Sequence, residues 1–167
     1  LSLDPDRLLA PYMKEAGLEP KAENYTNWEN TGLDGHVGGH YLSALSYMYA
    51  STGNQEIKER LDYYISELKR CVDAEGYLSG VPHGRQIWKE ISEGNIRAAS
   101  FGLNDRWVPL YNIHKIYAGL RDAYLITGNK DALKMFLDLT EWMYNLTEGL
   151  TEEQLQDMLR SEQGGLN

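Results

Sequence analysis

The chain has 167 residues, enough for one ordinary domain, and 42% of them are hydrophobic while 25% are charged. That balance predicts a packed core rather than a disordered chain. With 25 acidic and 16 basic residues the net charge is -9, which argues against nucleic acid and anionic membrane surfaces as partners. The single cysteine, Cys71, excludes an internal disulfide and a cysteine zinc cluster, and no run of about 18 apolar residues would span a membrane.

Two segments precede the first strong motif. Asp4 and Pro5 predict a helix that runs to about residue 16, because aspartate caps a helix and proline suits its first turn. Residues 20–31 show no clear periodicity, so we expect an irregular stretch there, with Trp28 as its anchor in the core.

Residues 32–45, with the sequence GLDGHVGGHYLSAL, are the most informative part of the chain. They place Asp34, His36 and His40 within two turns at the start of an apolar helical run. Four glycines share the stretch, although each costs about 1 kcal/mol relative to alanine inside a helix. Glycines at a helix start permit tight turns and let a ligand approach the backbone. The stretch predicts either a polar pocket at a helix end or a loop with a capping aspartate and surface histidines.

An internal repeat follows from two similar segments, YASTGN at residues 49–54 and YLITGN at residues 124–129. Each unit is predicted to be a helix, a Thr-Gly-Asn turn and a second helix, with the glycine ending one helix and the asparagine capping the next. The first helix of each unit is apolar on most faces, which predicts burial on all sides. The second helix has one apolar stripe and a charged outer face. The predicted helices span residues 36–52, 55–73, 110–127 and 130–147.

This pattern predicts an all-α fold of αα-hairpin repeats, either part of a closed (α/α) toroid or an open solenoid. The long connection between residues 73 and 109 is expected to be functional, with a strand-like segment at 77–81 and a short helix at 86–93. Thr151 has capping-box spacing to Gln154 and predicts a last helix to about residue 160. Two hairpins cannot close a ring, so we expect residues 1–167 to form a single incomplete domain.

Most of the unusual polar residues lie in the loops ahead of the first helices of the units and in the long connection. In such arrays these loops meet at one end of the ring, which predicts a pocket. Neutral imidazoles both donate and accept, as a sugar hydroxyl requires, and an indole provides a stacking face. Because a helix N-terminus disfavours a positive charge, His40 and His114 are expected to be uncharged. The candidate substrate-binding residues are Asp34, His36, His40, His83, Trp107, His114 and Glu162.

Other chemistries fit the same residues less well. His36 and His40 have the spacing of a zinc pair on a helix, but Gly38 and Gly39 between them weaken that geometry, and no acid separates them. Asp34 and Glu162 are a conceivable carboxylate pair for glycosidic cleavage, although helix capping and solvent exposure explain them equally simply. No serine lies in a nucleophile elbow, and Cys71 lies on an outer helix. No catalytic residue and no metal ligand is therefore assigned.

Four runs resemble the β-L-arabinofuranosidase family, glycoside hydrolase family 127 and its relatives. They are residues 32–44, 76–80 (GYLSG), 107–115 (WVPLYNIHK) and 162–167 (EQGGLN). The resemblance implies the N-terminal part of an (α/α)6 catalytic barrel, followed in family members by β-rich domains. It also implies retaining cleavage of terminal L-arabinofuranose by a zinc-bound cysteine with a glutamate acid/base.

None of those catalytic groups can be placed in this chain, so only the sugar-binding side is carried over, with His114 as the best match. We therefore expect part of a bacterial, periplasmic or secreted glycoside hydrolase that acts on plant glycans. Its expected partners are a carbohydrate substrate and the remainder of the parent chain. No cofactor is expected within residues 1–167, and zinc is possible in the full-length parent. The alternatives are another toroid enzyme, such as an inverting glycosidase or a polysaccharide lyase, and a non-enzymatic helical-repeat binding module.

Overall fold

The computed structural model describes residues 2–161 and Gly165. Seven α-helices lie in this described part: α1 Pro5–Glu15, α2 His36–Thr52, α3 Gln55–Cys71, α4 Gly84–Ser92, α5 Pro109–Thr127, α6 Lys130–Thr147 and α7 Glu152–Met158. A short 3₁₀ turn, Asn27–Asn30, precedes α2. Three two-residue strands, β1 Ala98–Ala99, β2 Gly102–Leu103 and β3 Arg106–Trp107, separate α4 from α5. None of the seven helices is long and apolar enough to cross a membrane.

The repeat is present as two helical hairpins, α2 with α3 and α5 with α6, which confirms the predicted αα-hairpin fold class. Gly53 and Gly128 end the first helices in the left-handed conformation, at φ of 63° and 72°. Asn54 then accepts backbone N–H groups of α3, and Asn129 accepts one of α6. Both Thr-Gly-Asn turns therefore act as predicted, as a C-terminal stop followed by an N-terminal cap.

Helices α2 and α5 lie side by side at the centre, and small residues let their backbones approach closely. A Cβ at Gly39 would overlap the backbone carbonyl of Lys115, and one at Gly119 would lie 2.8 Å from Leu42 Cβ. Ser43 Oγ also donates to Asp122 Oδ2 across the pair at 2.7 Å. The glycines inside the motif thus serve helix packing, whereas the sequence suggested that they let a ligand approach the backbone.

Outer elements cover the central pair. Helix α3 packs on α2, α6 packs on α5, α1 lies against α2 and α3, and α4 lies against α6. Lys69 of α3 and Asp131 of α6 form an ion pair at 2.7 Å. The amphipathic outer helices predicted from the second member of each repeat are confirmed. The centre of the core is formed by Leu8, Leu9, Tyr12, Leu42, Leu61, Tyr64, Leu68, Ile113, Ile116, Leu120 and Leu139.

Three local predictions are wrong. Helices α2 and α5 are not buried on all sides, since Tyr47 is 57% exposed and Leu125 is 59% exposed, because the described neighbours cover only part of their surfaces. Residues 77–81 form no strand, and the strands lie instead at residues 98–107. Trp28 does not anchor its loop in the core, because its side chain is 62% exposed.

Candidate functional site

The start of α2 is held by a buried glutamate from the preceding 3₁₀ turn. Glu29 Oε2 accepts the backbone N–H of Gly35, and Oε1 accepts that of Val37, both at 3.0 Å. Glu29 Oε1 also lies 2.6 Å from His36 Nδ1. Gly35 itself occupies the capping position at φ of 92° and has no side chain to cap with. A carboxylate is favourable at a helix N-terminus, so Glu29 supplies the cap that the sequence pattern assigned to Asp34.

Asp34 instead ties the glycine-rich loop to its surroundings. Its Oδ1 accepts from Asn24 Nδ2 at 3.0 Å, and its Oδ2 accepts the backbone N–H of Gly32 at 2.9 Å. Asn112 of α5 donates to the backbone carbonyl of Asp34 at 2.6 Å. Burial raises the pKa of the Asp34 carboxyl. Because both carboxylate oxygens already accept protein hydrogen bonds, a role for Asp34 in binding sugar stays a prediction.

Imidazoles from both hairpins come together beside the start of α2. The ring centroids of His36 and His40 are 6.3 Å apart, and those of His36 and Tyr111 are 6.1 Å apart. His40 Nε2 lies 3.5 Å from the hydroxyl of Tyr111. The structure therefore joins the loop of residues 32–36 to the first turn of α5. This group, His36, His40, Tyr111 and His114, is called the imidazole rim below.

The electrostatic surroundings favour uncharged rings at two of these positions. Burial lowers the pKa of His40, and the cation of Lys115 and the neighbouring histidines lower it further. Burial and Lys115 likewise lower the pKa of His114. The direction agrees with the one expected from sequence, and burial and a nearby ammonium group are causes that the sequence did not indicate. Lys115 Nζ also lies 4.5 Å from the ring centroid of Tyr111.

Gly165 lies against the rim. A Cβ added at Gly165 would overlap the imidazole of His114, so the backbone of Gly165 lies directly against that ring. This places part of the closing 162–167 motif beside α5, as expected for loops that meet at one end of the hairpins. Glu162 lies outside the described residues, and its predicted role in binding stays a prediction.

Two tryptophans flank the same region. Trp107 is 40% exposed at the end of β3, and its Cβ lies beside Gly32. Trp28 is exposed, and its ring centroid lies 6.2 Å from that of His36. Sequence reasoning missed Trp28 as a site residue because its segment has no periodicity, although an aromatic residue in an irregular loop eight positions ahead of His36 was the available signal.

His83 is placed differently from the other histidines. It is exposed at the position before α4, with φ of 56°. Its described contact is with Glu15 at the end of α1, whose carboxyl has a pKa raised by burial. No described contact joins His83 to the imidazole rim. Its predicted part in sugar binding therefore gains no support from the geometry and stays a prediction.

Two cavities in the described part of the chain differ in volume and in the residues that line them. A groove of about 1030 Å³ lies between α4, α6 and the loop at residues 73–77, and none of the predicted site residues that the structure describes lines it. A smaller cavity of about 250 Å³ is lined by His36, Glu29 and Trp28 together with apolar side chains. The larger groove is lined by charged side chains such as Asp73, Arg85 and Glu141. We place the candidate site at the smaller cavity and the adjoining rim, because His36 lines that cavity and lies beside His40 and Tyr111.

The described residues do not fit a zinc site. They contain no group of three or more histidine, cysteine, aspartate or glutamate side chains able to hold a metal ion. Cys71 is buried on α3, its thiol lies 3.5 Å from the carbonyl oxygen of Glu67, and burial raises its pKa to about 12. Such a thiol keeps its proton near neutral pH, which makes it a poor nucleophile.

Repeated helical hairpins with a polar rim where the inner helices begin define the class of αα-hairpin folds that form toroids and barrels. Comparison with known proteins makes the assignment specific. The model of the β-L-arabinofuranosidase GH127 catalytic domain matches residues 1–167, and the chain belongs to that family. A search of curated proteins gives no significant match.

The solved structures that are similar include that of Ara127N-Se, a GH127 β-L-arabinofuranosidase from Geobacillus stearothermophilus T6. It shares 16% sequence identity with a TM-score of 0.60, over 85% of this chain and 20% of that one. At this identity the likeness concerns the fold, and it confirms the predicted part of an (α/α)6 barrel. The chain spans about a fifth of the length of the protein it matches.

Proposed function

We propose that this chain is part of the catalytic barrel of a glycoside hydrolase that removes terminal L-arabinofuranose from plant glycans. In this proposal the imidazole rim provides the sugar-binding side of the pocket. The observation that carries it is the meeting of His36, His40 and Tyr111 from two separate hairpins, in a chain that belongs to the GH127 catalytic domain family.

Chemistry supports a neutral polyol as the ligand. The pKa values of His40 and His114 are lowered, so both rings are mostly neutral at pH 7 and can each donate and accept a hydrogen bond. The exposed indole of Trp28, 6.2 Å from the ring of His36, offers an apolar face to the carbon side of a sugar ring, and Trp107 is a second exposed indole beside Gly32 of the same loop. An anionic ligand would need several cationic side chains. Among the described contacts of the rim, Lys115 provides the cationic group, so a neutral ligand fits better.

The exposed apolar side chains of the central helices fit a larger barrel. Tyr47 and Met48 of α2 and Leu125 of α5 lie on the surface although their helices form the centre of the fold. We propose that this face packs against the remainder of the parent chain, which also supplies the nucleophile, the acid/base and any zinc ligands. The exported, bacterial origin expected from the family resemblance stays a prediction.

Turnover by the complete natural protein that carries this chain tests the proposal. A p-nitrophenyl β-L-arabinofuranoside should be hydrolysed, and Tyr111→Ala should lower kcat/KM by about tenfold or more, which corresponds to one lost substrate contact. Tyr144→Ala is the matched control, because Tyr144 is an exposed tyrosine of α6 whose hydroxyl donates only locally to Glu148. This control should retain the parental rate.

Product analysis separates the alternatives. First-formed L-arabinose with the β configuration supports retaining hydrolysis, whereas the α anomer indicates an inverting enzyme. An unsaturated uronic acid product would identify a polysaccharide lyase. Absence of turnover on any glycoside, together with capture of a protein ligand on the exposed face of α2, would favour a binding module and overturn the proposal.

A further inference from the structure

Glu29 contacts the ring of His36 in addition to capping the start of α2. We propose that Glu29 is a positioning residue that holds the ring of His36 with its proton on Nδ1 and thereby presents Nε2 to the sugar. The inference rests on the proposed function, because it concerns the same rim. It adds a residue that no sequence motif singled out.

The Glu29 carboxylate is buried and therefore depends on hydrogen-bond donors from the surrounding protein. The side chains of Glu29 and His36 are only 4% and 7% exposed. Three N–H donors surround the carboxylate, from the backbone of Gly35 and Val37 and from the His36 ring. A buried carboxylate needs such donors, and the surrounding segments fix their directions. Asn24 Nδ2 donates to the carbonyl of Glu29 at 2.8 Å and so anchors the turn that carries it.

The contacts at Nδ1 determine where the ring proton lies. His36 Nδ1 is 2.6 Å from Glu29 Oε1 and 2.9 Å from the carbonyl oxygen of Leu33. An ionised carboxylate and a carbonyl oxygen both accept and neither donates, so Nδ1 must carry a hydrogen in the neutral and the charged ring alike. The lone pair of the neutral ring is then on Nε2.

An Nε2 lone pair gives the rim a defined polarity. A sugar hydroxyl would donate to Nε2 of His36, while neutral His40 beside it can donate or accept. If the proton of His36 moved to Nε2, the ring would donate and the sugar hydroxyl would have to accept, so the direction of the hydrogen bond would be reversed. Glu29 therefore acts on the substrate through His36 without touching it.

Ring-nitrogen NMR of the protein labelled with ¹⁵N-histidine tests the inference directly. In long-range ¹H–¹⁵N spectra of the ligand-free protein, neutral His36 should show a protonated Nδ1. In Glu29→Gln the acceptor of the Nδ1 proton loses its negative charge, so the preference for that proton position should weaken and the population of protonated Nε2 should rise. Glu67→Gln is the matched control, because Glu67 is a mostly buried carboxylate of α3 paired with Lys21 and Arg70. It should leave the His36 signals unchanged.

The outcomes separate the inference from the proposed function. A parental His36 with a protonated Nε2 overturns the inference without any variant, so a misfolded Glu29→Gln would not rescue it. Unchanged His36 tautomers in a folded Glu29→Gln also overturn it, even if methyl β-L-arabinofuranoside binds at the rim. Support requires the tautomer shift together with a roughly tenfold weaker affinity for that glycoside, the equivalent of one hydrogen bond. A tautomer shift with no glycoside binding by the parental protein would leave the ring positioning intact and refute the sugar site.

Discussion

The two ends of the helical hairpins are organised in opposite ways. At one end, Gly53 and Asn54 in the first hairpin and Gly128 and Asn129 in the second form turns whose capping hydrogen bonds span only a few residues. Asn129 adds one contact between the hairpins, from its Nδ2 to Asp62 Oδ1 at 3.2 Å. At the other end, α2 begins on a carboxylate that comes from Glu29, and its loop is bonded to α5. The helices are therefore capped locally at one end, whereas the start of α2 is held by segments far apart in sequence.

The difference between the two ends matches their different roles, chain reversal at one end and the candidate site at the other. The local turns repeat almost unchanged between hairpins, because they only reverse the chain. The long-range end differs between hairpins and contains the imidazole rim, where each hairpin contributes different side chains. A site formed by several segments needs each one fixed in position, and this explains why buried polar contacts concentrate at that end. Three measurements test whether the two ends of the hairpins are stabilised in these different ways.

Gly39→Ala should have the largest effect, because it strikes the close contact between α2 and α5. The added Cβ would overlap the backbone carbonyl of Lys115, which cannot rotate away as a side chain can. Overpacking costs up to about 3 kcal/mol, and the better helix propensity of alanine returns about 1 kcal/mol. We expect the free energy of unfolding in urea to fall by about 2 kcal/mol.

Gly149→Ala is the control for Gly39→Ala. A Cβ at Gly149 meets nothing within 4 Å, so this variant should unfold at the parental urea concentration. Equal stability of the two variants would mean that α2 and α5 are farther apart than described.

Asn54→Ala should cost less, because it removes only a local cap. Asn54 Oδ1 accepts the N–H groups of Glu56 and Ile57 at the start of α3. Loss of an asparagine cap costs about 1 kcal/mol, whereas Asn54→Asp retains the acceptor and should be nearly neutral. Urea unfolding of both variants checks this expectation. If Asn54→Ala also disturbed the ring signals of His36, the two ends of the hairpins would be coupled rather than independent.

Acidification should have the smallest effect on stability. The pKa values of His40 and His114 are lowered on folding, so the unfolded chain binds more protons below about pH 6.5, and stability is lost as pH falls through that range. Asp34 acts oppositely, because burial raises the pKa of its carboxyl. Lys115, His36, Tyr111 and Glu29 also face these rings.

Thermal unfolding of the parental protein and of the double variant His40→Gln, His114→Gln isolates the histidine contribution. Between about pH 7 and pH 5 the midpoint of the parental protein should fall more than that of the variant. Identical pH profiles would contradict the lowered pKa values.

The locally held end was predictable from sequence, since its rules involve neighbouring residues. The Thr-Gly-Asn turns, the Asp4 cap of α1 and the capping box at Thr151 all have fixed spacings and were found where predicted. The hairpin repeat followed from the same periodicity. The strands at residues 98–107 were missed, because elements of two residues are too short to show an alternating pattern.

At the end held by long-range contacts, the sequence predicted several of the residues but not the contacts between them. Sequence placed His36, His40, Trp107 and His114 as candidates, but no spacing rule links Glu29 to a helix that starts seven residues later. The packing role of Gly39 likewise depends on Lys115, which belongs to the other hairpin. Such contacts are set by how whole helices pack, and a single sequence carries no direct record of them.

The near contact of the α2 and α5 backbones also bears on how a ligand would be held. Gly39 lies against the backbone of Lys115 and Ser43 is bonded to Asp122, so the two helices are in close contact and joined by a hydrogen bond. The groups at their common end are therefore preorganised, and binding a sugar there would sacrifice little conformational entropy of the protein. A small sugar makes few contacts, so its affinity depends strongly on how little conformational entropy the protein loses on binding.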